Sequence, residues 1–349
     1  LLIAQNPLLA NTSILKLQQN FESVNAWEYL DIDEDGKTCR VSLNKQKLLG
    51  LLSENPKLGD LKNSDIFISF PTVDGKSKIF KMFYSPVMPI RLMEKFPDIK
   101  TFTGIGLENP RERVSVTVSD NGVKAMIMGS DKNIFIDPLK EYPDLYRVSY
   151  DEIGFQLNNQ YSGCGDDDVI MMVHPLENNQ NRNDFPDCVG EAQPCYTIGD
   201  TLVTYRFAGI ITAEANNEIA DGTVAGGLAW LNAMVNQINL LWVRELSFCL
   251  ELIENNDVLI YTDNNPTPAD FTAYDMYVEL PLVLDHITEI IGPGGYSTPA
   301  GSLMWEYGAV FNTGYGGGLA YVPGSTSANL PSYSIFNHEI GHNLGSAHN

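Results

Sequence analysis

Near the end of the chain, residues 338–348 follow the pattern H-E-x-x-H-x-x-G-x-x-H. Side chains four residues apart on a helix leave the same face one turn apart, so the spacing predicts a helix that presents His338 and His342 together. Gly345 can adopt a positive φ, end the helix and turn the chain towards His348. The pattern therefore predicts a helix and a tight turn that gather three imidazoles.

This arrangement favours a catalytic zinc site. Imidazole nitrogens bind zinc at about 2.0–2.1 Å, and three protein ligands leave a fourth position open for water. Glu339 lies on the adjacent stripe of the helix, where it can take a proton from that water without binding the metal. We predict His338, His342 and His348 as zinc ligands and Glu339 as the general base. A lone H-E-x-x-H is also compatible with an ordinary helix face, but the glycine and the third histidine make that interpretation less favourable.

The segment is similar to the zinc-binding consensus of the metzincin metallopeptidases, and its surroundings resemble their reprolysin (adamalysin-like) branch. The G-x-A-Y-V edge strand that precedes the active-site helix in that branch resembles a stretch of this chain, namely Gly318, Leu319, Ala320, Tyr321 and Val322. Residues 204–208 and 258–262 resemble the bacterial secreted members. Residues 85–88 and 102–106 resemble the prosegment of the same bacterial enzymes.

The resemblance implies a secreted zinc endopeptidase precursor with protein or peptide substrates and an activating protease. It also implies that strand 318–322 holds an extended substrate through backbone hydrogen bonds. An ordinary sheet edge is the alternative for that strand. One departure is that metzincins have a methionine turn after the third histidine, whereas the last methionine here is Met304 and the sequence ends at Asn349. We interpret the chain as a truncated precursor that lacks the C-terminal subdomain.

Charge is distributed unevenly along the chain. Residues 187–349 contain two basic and 18 acidic residues, a net charge of −16, whereas residues 1–186 carry a net charge of −6. Such acidity repels nucleic acid and anionic membrane surfaces. There is also no run of about eighteen apolar residues that would span a membrane. The acidity favours divalent cations and an extracellular setting, and the contrast between the two parts predicts a domain boundary.

Local patterns predict the architecture on either side of that boundary. Short alternating runs between residues 66 and 148, separated by Gly, Asp and Asn turns, predict antiparallel strands. Residues 157–196 are rich in Asn, Asp, Gly and Pro, which is typical of an exposed linker. We therefore predict an α+β, antiparallel β-rich prosegment over residues 1–156 and a linker and activation region over 157–196. The upper part of an α/β metzincin-like catalytic domain with a mostly parallel sheet follows over residues 197–349.

Within the catalytic part, apolar spacing predicts two helices before the histidine motif and several strands. The predicted helices are Thr223–Trp242 and Tyr277–Ile291, and the predicted strands are Leu202–Ile211, Leu246–Ile253, Val258–Tyr261 and Trp305–Phe311.

Two further residues bear on activation. Cys164 precedes the linker, and a thiolate there can take the position of the water on zinc and hold the precursor inactive. A free or disulfide-bonded surface cysteine is the alternative. Arg182 is the only basic residue between Arg147 and Arg206, so proteases that cut after basic residues are expected to cut there.

Residues 31–36 copy the front of a calcium loop, D-x-D-x-D-G, although Ser42 stands where the bidentate glutamate would be. A polar turn is the favoured interpretation, and calcium is the alternative.

Two other functional classes stay open. A secreted binding or adhesive module with a vestigial zinc site would be expected to lose Glu339, which is present. A different zinc hydrolase, such as a deacetylase or an esterase, is less compatible with a third histidine at this spacing.

Overall fold

The computed structural model describes residues 24–33, 36–53, 55–57, 64–129, 132–150, 169–171, 201–292, 306–322 and 324–346. These residues form two β-sheets, one of nine strands and one of six. We call residues 24–150, which build the first sheet, the N-terminal half, and residues 201–346 the C-terminal half.

The first sheet is antiparallel throughout, in the order β1-β2-β9-β8-β7-β6-β5-β4-β3. Its strands are β1 (Trp27–Ile32), β2 (Thr38–Leu43), β3 (Phe67–Pro71), β4 (Ser77–Tyr84), β5 (Lys100–Gly106), β6 (Arg113–Ser119), β7 (Gly122–Met128), β8 (Ile134–Leu139) and β9 (Tyr142–Ser149). Two helices, α1 (Lys45–Leu52) and α2 (Ile90–Lys95), connect some of these strands. The prediction of an antiparallel β-rich region is therefore confirmed.

The second sheet has the order β10-β14-β15-β13-β11-β12. Its strands are β10 (Val169–Met171), β11 (Val203–Ile211), β12 (Phe248–Leu252), β13 (Tyr307–Phe311), β14 (Gly318–Val322) and β15 (Thr326–Asn329). All neighbouring strands run parallel except β14 and β15. The helices are α3 (Ala213–Ile219), α4 (Val224–Leu246), α5 (Met276–Ile291) and α6 (Tyr333–Asn343), and two short 3₁₀ helices cover Asn256–Leu259 and Ala269–Phe271. The α/β prediction with a mostly parallel sheet is confirmed.

Helix α4 lies between the two sheets. It packs on β5, β6 and β7 of the first sheet and on β12 of the second. This position explains why every residue of α4 from Gly226 to Ile238 is buried. It also explains why Ser115 and Thr117 of β6 are buried, although they alternate with the valines of that strand. One hydrophobic cluster joins the halves, since it contains Val87, Leu92 and Met126 as well as residues of α4. A separate cluster beneath α5 covers the opposite face of the second sheet.

Two predictions for the C-terminal half are wrong in detail, namely the boundary between a helix and the following strand, and one further strand. Helix α4 continues to Leu246, and β12 starts at Phe248, because Ser247 adopts a left-handed conformation with φ 52° and ends the helix. Val258–Tyr261 is not a strand. Its first two residues end a 3₁₀ helix, and Ile260 makes a single bridge to Ile211.

The reason for the second error lies in Asn256, which is fully buried at the start of that 3₁₀ helix. Its side chain accepts from the Gly209 amide at 2.8 Å and donates to the Gly209 carbonyl at 3.0 Å. These two bonds hold the segment beside β11 without a strand ladder. A short apolar run has no periodicity that would distinguish a strand from a 3₁₀ helix.

Candidate metal centre

Helix α6 carries the front of the histidine motif. Phe336 and Ile340 anchor it, since both are buried in the cluster that joins the halves. The helix ends as predicted at Gly345, whose φ is 100°. The Gly345 amide donates to the His342 carbonyl at 2.8 Å, and the Ser346 amide donates to the Gly341 carbonyl at 3.0 Å. This left-handed cap satisfies the last carbonyl groups of the helix and reverses the chain.

The two histidines of α6 point at each other. Their Nε2 atoms are 2.8 Å apart, and their rings meet edge to face with centroids 4.5 Å apart. The Nδ1 of His342 lies 2.6 Å from the Ser346 carbonyl, an acceptor, so Nδ1 carries the proton of a neutral ring and Nε2 keeps its lone pair. A metal-binding histidine commonly has its other nitrogen held in this way.

This donor pair fits zinc. Two imidazole nitrogens about 2.0–2.1 Å from one tetrahedral zinc lie about 3.3–3.4 Å apart, so the pair, 2.8 Å apart here, needs to open by about 0.5 Å to bind one ion together. His338 is exposed to solvent and His342 is buried, so the pair lies at the protein surface with one ring in the interior. Among the described residues, no group of three or more His, Cys, Asp or Glu side chains is placed to hold a metal. The predicted third ligand, His348, lies outside the described residues.

Glu339 lies between the two histidines in sequence and is 1% exposed. Its side chain packs against the backbone of β14, where Gly318 leaves room for it. A Cβ at position 318 would lie 2.7 Å from the Glu339 Cγ and 2.6 Å from the Ile335 Cγ2. The glycine therefore allows α6 to approach β14 closely, a requirement that the sequence pattern alone did not reveal.

Strand β14 coincides with the predicted stretch 318–322, but it has hydrogen-bonded neighbours on both sides. It pairs antiparallel with β15, and on its other side it pairs parallel with β10 in the register Val169–Ala320, Ile170–Tyr321 and Met171–Val322. The segment 169–171 thus takes the outer position in the described sheet, where β14 was expected.

Asn343 is a positioning residue that the sequence reasoning missed. Its side-chain amide donates to the carbonyls of Tyr321 and Thr326, both at 3.0 Å, and its own carbonyl accepts from the Gly324 amide at 3.1 Å. These bonds tie the end of α6 to the turn between β14 and β15. An asparagine directly after the second histidine was the available signal, but its partners are distant in sequence.

The remaining predicted residues fall elsewhere. Cys164 lies outside the described residues, as does Arg182. Among the described residues, Cys39 and Cys249 are free thiols, and burial raises the pKa of both, that of Cys39 to about 11.

The calcium-like segment belongs to the hairpin between β1 and β2. Asp31 pairs with Arg40 of β2, and this hydrogen bond lowers the pKa of the Asp31 carboxyl. The Gly36 amide donates to the Asp33 carbonyl at 2.9 Å, as in a tight turn. This geometry favours the polar turn, and calcium stays a prediction without support from the described residues.

Residues 201–349 match the family model described as metallo-peptidase family M12B, reprolysin-like. This part of the chain is similar to reprolysin-like M12B metallopeptidases. The predicted metzincin family and enzyme class are therefore confirmed, and the family implies zinc. The structure is also similar to the crystal structure of metalloproteinase-II from Bacteroides fragilis, with a TM-score of 0.46 and 11% sequence identity over 87% of this chain and 86% of that chain. None of the curated proteins compared with the chain matches it significantly.

Within the described parts of both halves, no helix combines the length and the apolar character needed to cross a membrane.

Proposed function

We propose that this chain is the precursor of a secreted zinc endopeptidase in which Glu339 is the general base. The observation that carries the proposal is the convergence of the His338 and His342 Nε2 atoms, 2.8 Å apart, on the helix that also presses Glu339 against β14. A zinc site without catalytic function would not require both the nitrogen pair and the buried acid.

Each residue has a separate task in this proposal. His338 and His342 hold the ion together with His348, and the Ser346 carbonyl keeps the Nδ1 of His342 protonated. Zinc supplies Lewis acidity, which makes a water molecule a nucleophile near neutral pH. Glu339 accepts the proton of that water and returns it to the leaving amine.

The backbone of β14 is the proposed binding site for an extended peptide, which would add to the sheet as a new strand. In the precursor that position is taken by β10, residues 169–171, which pair with Ala320, Tyr321 and Val322. We infer that the segment upstream of residue 201 keeps the enzyme latent by covering β14. Cleavage after Arg182, by an activating protease outside the cell, would separate that segment from the catalytic domain.

The catalytic proposal is tested on the full-length gene product with three variants. Glu339→Gln should retain zinc and lose about 10²–10⁴-fold in peptide hydrolysis, because the proton acceptor is gone. His342→Ala should lose zinc as well as activity. Glu218→Gln, an exposed acid on α3, is the matched control and should behave like the parent. Hydrolysis by the Glu339→Gln variant at the parental rate would exclude the assigned role and favour a different zinc hydrolase or a binding module.

Latency is tested by limited trypsin digestion of the same precursor. We expect a new N-terminus at Asn183 and a rise in peptidase activity, and Arg182→Ala should block both. A Cys164→Ala precursor that is active before any cleavage would assign latency to the thiol. An equally latent variant would assign it to coverage of β14.

A further inference from the structure

A cavity of about 580 Å³ lies where the N-terminal half meets α4 and β12. Most of its wall is apolar. Its apolar lining includes Tyr84, Val87 and Ile105 from one half and Leu240, Val243 and Leu250 from the other.

Hydrogen bonds between the two halves fix the distance between these walls. The Leu252 amide of β12 donates to the Val87 carbonyl at 2.8 Å. The side-chain amide of Asn236, also in the wall, donates to the carbonyls of Phe102 and Val116 at 3.1 and 3.2 Å. The cavity is therefore a built feature of the assembled halves, and it exists only while they are together.

Exposed residues such as Leu202 and Arg244 belong to the lining, so the cavity is a cleft that opens to solvent. Its apolar wall is in contact with water, and a ligand that covers this wall gains the free energy of burying apolar surface. The volume lies within the range of about 300–1,000 Å³ found for small-molecule sites.

The charged part of the wall is mainly basic. Lys57, Arg113 and Arg244 all line the cavity, although the C-terminal part of the chain is strongly acidic and residues 187–349 contain just one other basic residue, Arg206. The acid in the wall is Glu251, a neighbour of Arg206 in the ladder between β11 and β12.

Arg113 and Arg244 come from opposite halves and meet at the turn that precedes β6. The Nη1 of Arg113 donates to the Pro110 carbonyl and, at 3.0 Å, to the Glu112 carbonyl. The Nη1 of Arg244 donates to the Arg111 carbonyl at 3.4 Å. Burial, and secondarily the charge of Arg244, lower the pKa of Arg113. The two positive charges repel each other. Glu245 already pairs with the Arg244 Nε at 2.6 Å, and a further carboxylate between the two arginines would reduce the repulsion.

We propose that this cavity binds a small amphipathic carboxylate, with its apolar body against the wall and its carboxylate at Arg113 and Arg244. Guanidinium groups bind carboxylates through paired, charge-assisted hydrogen bonds. Because such a ligand touches both halves, its binding stabilises their association. The site is separate from the proposed catalytic residues, and its test needs no peptidase activity.

The test uses the purified full-length chain and three probes with the same alkyl chain, each kept below its micelle concentration. Laurate should raise the midpoint of thermal unfolding and bind in calorimetry at one molecule per chain. Dodecanol, which lacks the charge, should bind about tenfold more weakly or worse, since a hydrogen bond to a charged group is lost. Dodecyltrimethylammonium, which has the opposite charge, should not raise the midpoint.

Variants then locate the site. Arg113→Gln combined with Arg244→Gln should weaken laurate binding about tenfold or more and leave dodecanol binding unchanged. Val243→Trp should fill the cavity and abolish binding of both probes. Arg111→Gln is the matched control, because its exposed side chain is on the same turn and does not line the cavity.

Three results would overturn the proposal: no laurate binding by the parent, equal binding by the double arginine variant, or equal binding by Val243→Trp. If Val243→Trp does not fold, the comparison of laurate and dodecanol binding by the double arginine variant still tests the proposal.

Discussion

Among single residues, Gly318 controls the position of the proposed base. An added methyl group would lie 2.6 Å from the Ile335 Cγ2 and 2.7 Å from the Glu339 Cγ, closer than real contacts allow. Gly318→Ala should therefore lower the free energy of unfolding by about 1–3 kcal/mol and reduce peptidase turnover, because Glu339 must move. Gly317→Ala is the control, since its Cβ would have nothing within 4 Å. Urea unfolding and peptide hydrolysis measure both effects, and equal behaviour of the two variants would contradict the assigned contact.

His286, buried on α5, predicts a pH dependence of stability. Its Nε2 lies 2.7 Å from the Tyr261 hydroxyl, and burial lowers the His286 pKa although Asp270 and Glu289 act in the opposite direction. The unfolded chain, with a histidine pKa of about 6.5, then binds more protons than the folded chain just below that pH. The free energy of unfolding should fall as the pH drops through about 6.5, until the lower folded pKa is passed.

His286→Gln provides the control for this prediction. The variant is expected to lose that part of the slope when urea unfolding is repeated from pH 8 to about pH 5.5. Unchanged slopes in parent and variant would assign the pH dependence to the carboxyl groups instead.

At the scale of elements, the pairing of β10 with β14 decides whether the substrate strand is open. Successive residues of a strand turn their amides in opposite directions, so one of two adjacent prolines must remove an amide that faces β14. Ile170→Pro combined with Met171→Pro should weaken the pairing and raise the peptidase activity of the uncut precursor.

The comparison for this variant is Asn179→Pro combined with Gln180→Pro, which places the same two prolines in the Asn-rich linker. Activity is measured on a short peptide before any trypsin treatment. A precursor that stays equally latent with both proline pairs would show that β10 does not control access to β14.

At the scale of the whole molecule, the halves are joined mainly by a shared core. Val87, Leu92 and Met126 belong to the same hydrophobic cluster as α4. Two ion pairs among the described residues also connect the halves. The pair between Arg91 and Glu254, 3.3 Å long, is exposed on both sides and contributes little, whereas the pair between Lys95 and Asp257 involves a buried carboxylate. The two halves should therefore unfold together.

This prediction is measured by urea unfolding of a Trp27→Phe variant. Its fluorescence then reports on the tryptophans after residue 200, whereas circular dichroism reports on both halves, and the two midpoints should coincide. Asn236→Ala should lower stability by about 1–3 kcal/mol, because the Phe102 and Val116 carbonyls lose a buried donor. Arg91→Ala, the surface control, should change it by less than about 1 kcal/mol. Two separated transitions would contradict a shared core.

Local spacing was sufficient to predict helix α6, its end at Gly345 and most strands of the first sheet. Each depends on neighbours within a few residues: a four-residue repeat that places His338 and His342 on one face, a glycine that permits positive φ, and a two-residue alternation. The residue pattern around the motif also predicted the family correctly. These properties belong to short stretches of chain, and so the sequence by itself determines them.

The tertiary structure decided what depends on distant partners. Asn256 turns an apolar run into a 3₁₀ helix because Gly209, 47 residues away, offers both its amide and its carbonyl. Asn343 positions α6 through carbonyls 17 and 22 residues earlier. The cover of β14 by β10 and the cavity beside Arg113 and Arg244 arise only when separate segments meet. Such contacts leave no periodic trace in the sequence, because either partner alone looks like an ordinary polar or apolar residue.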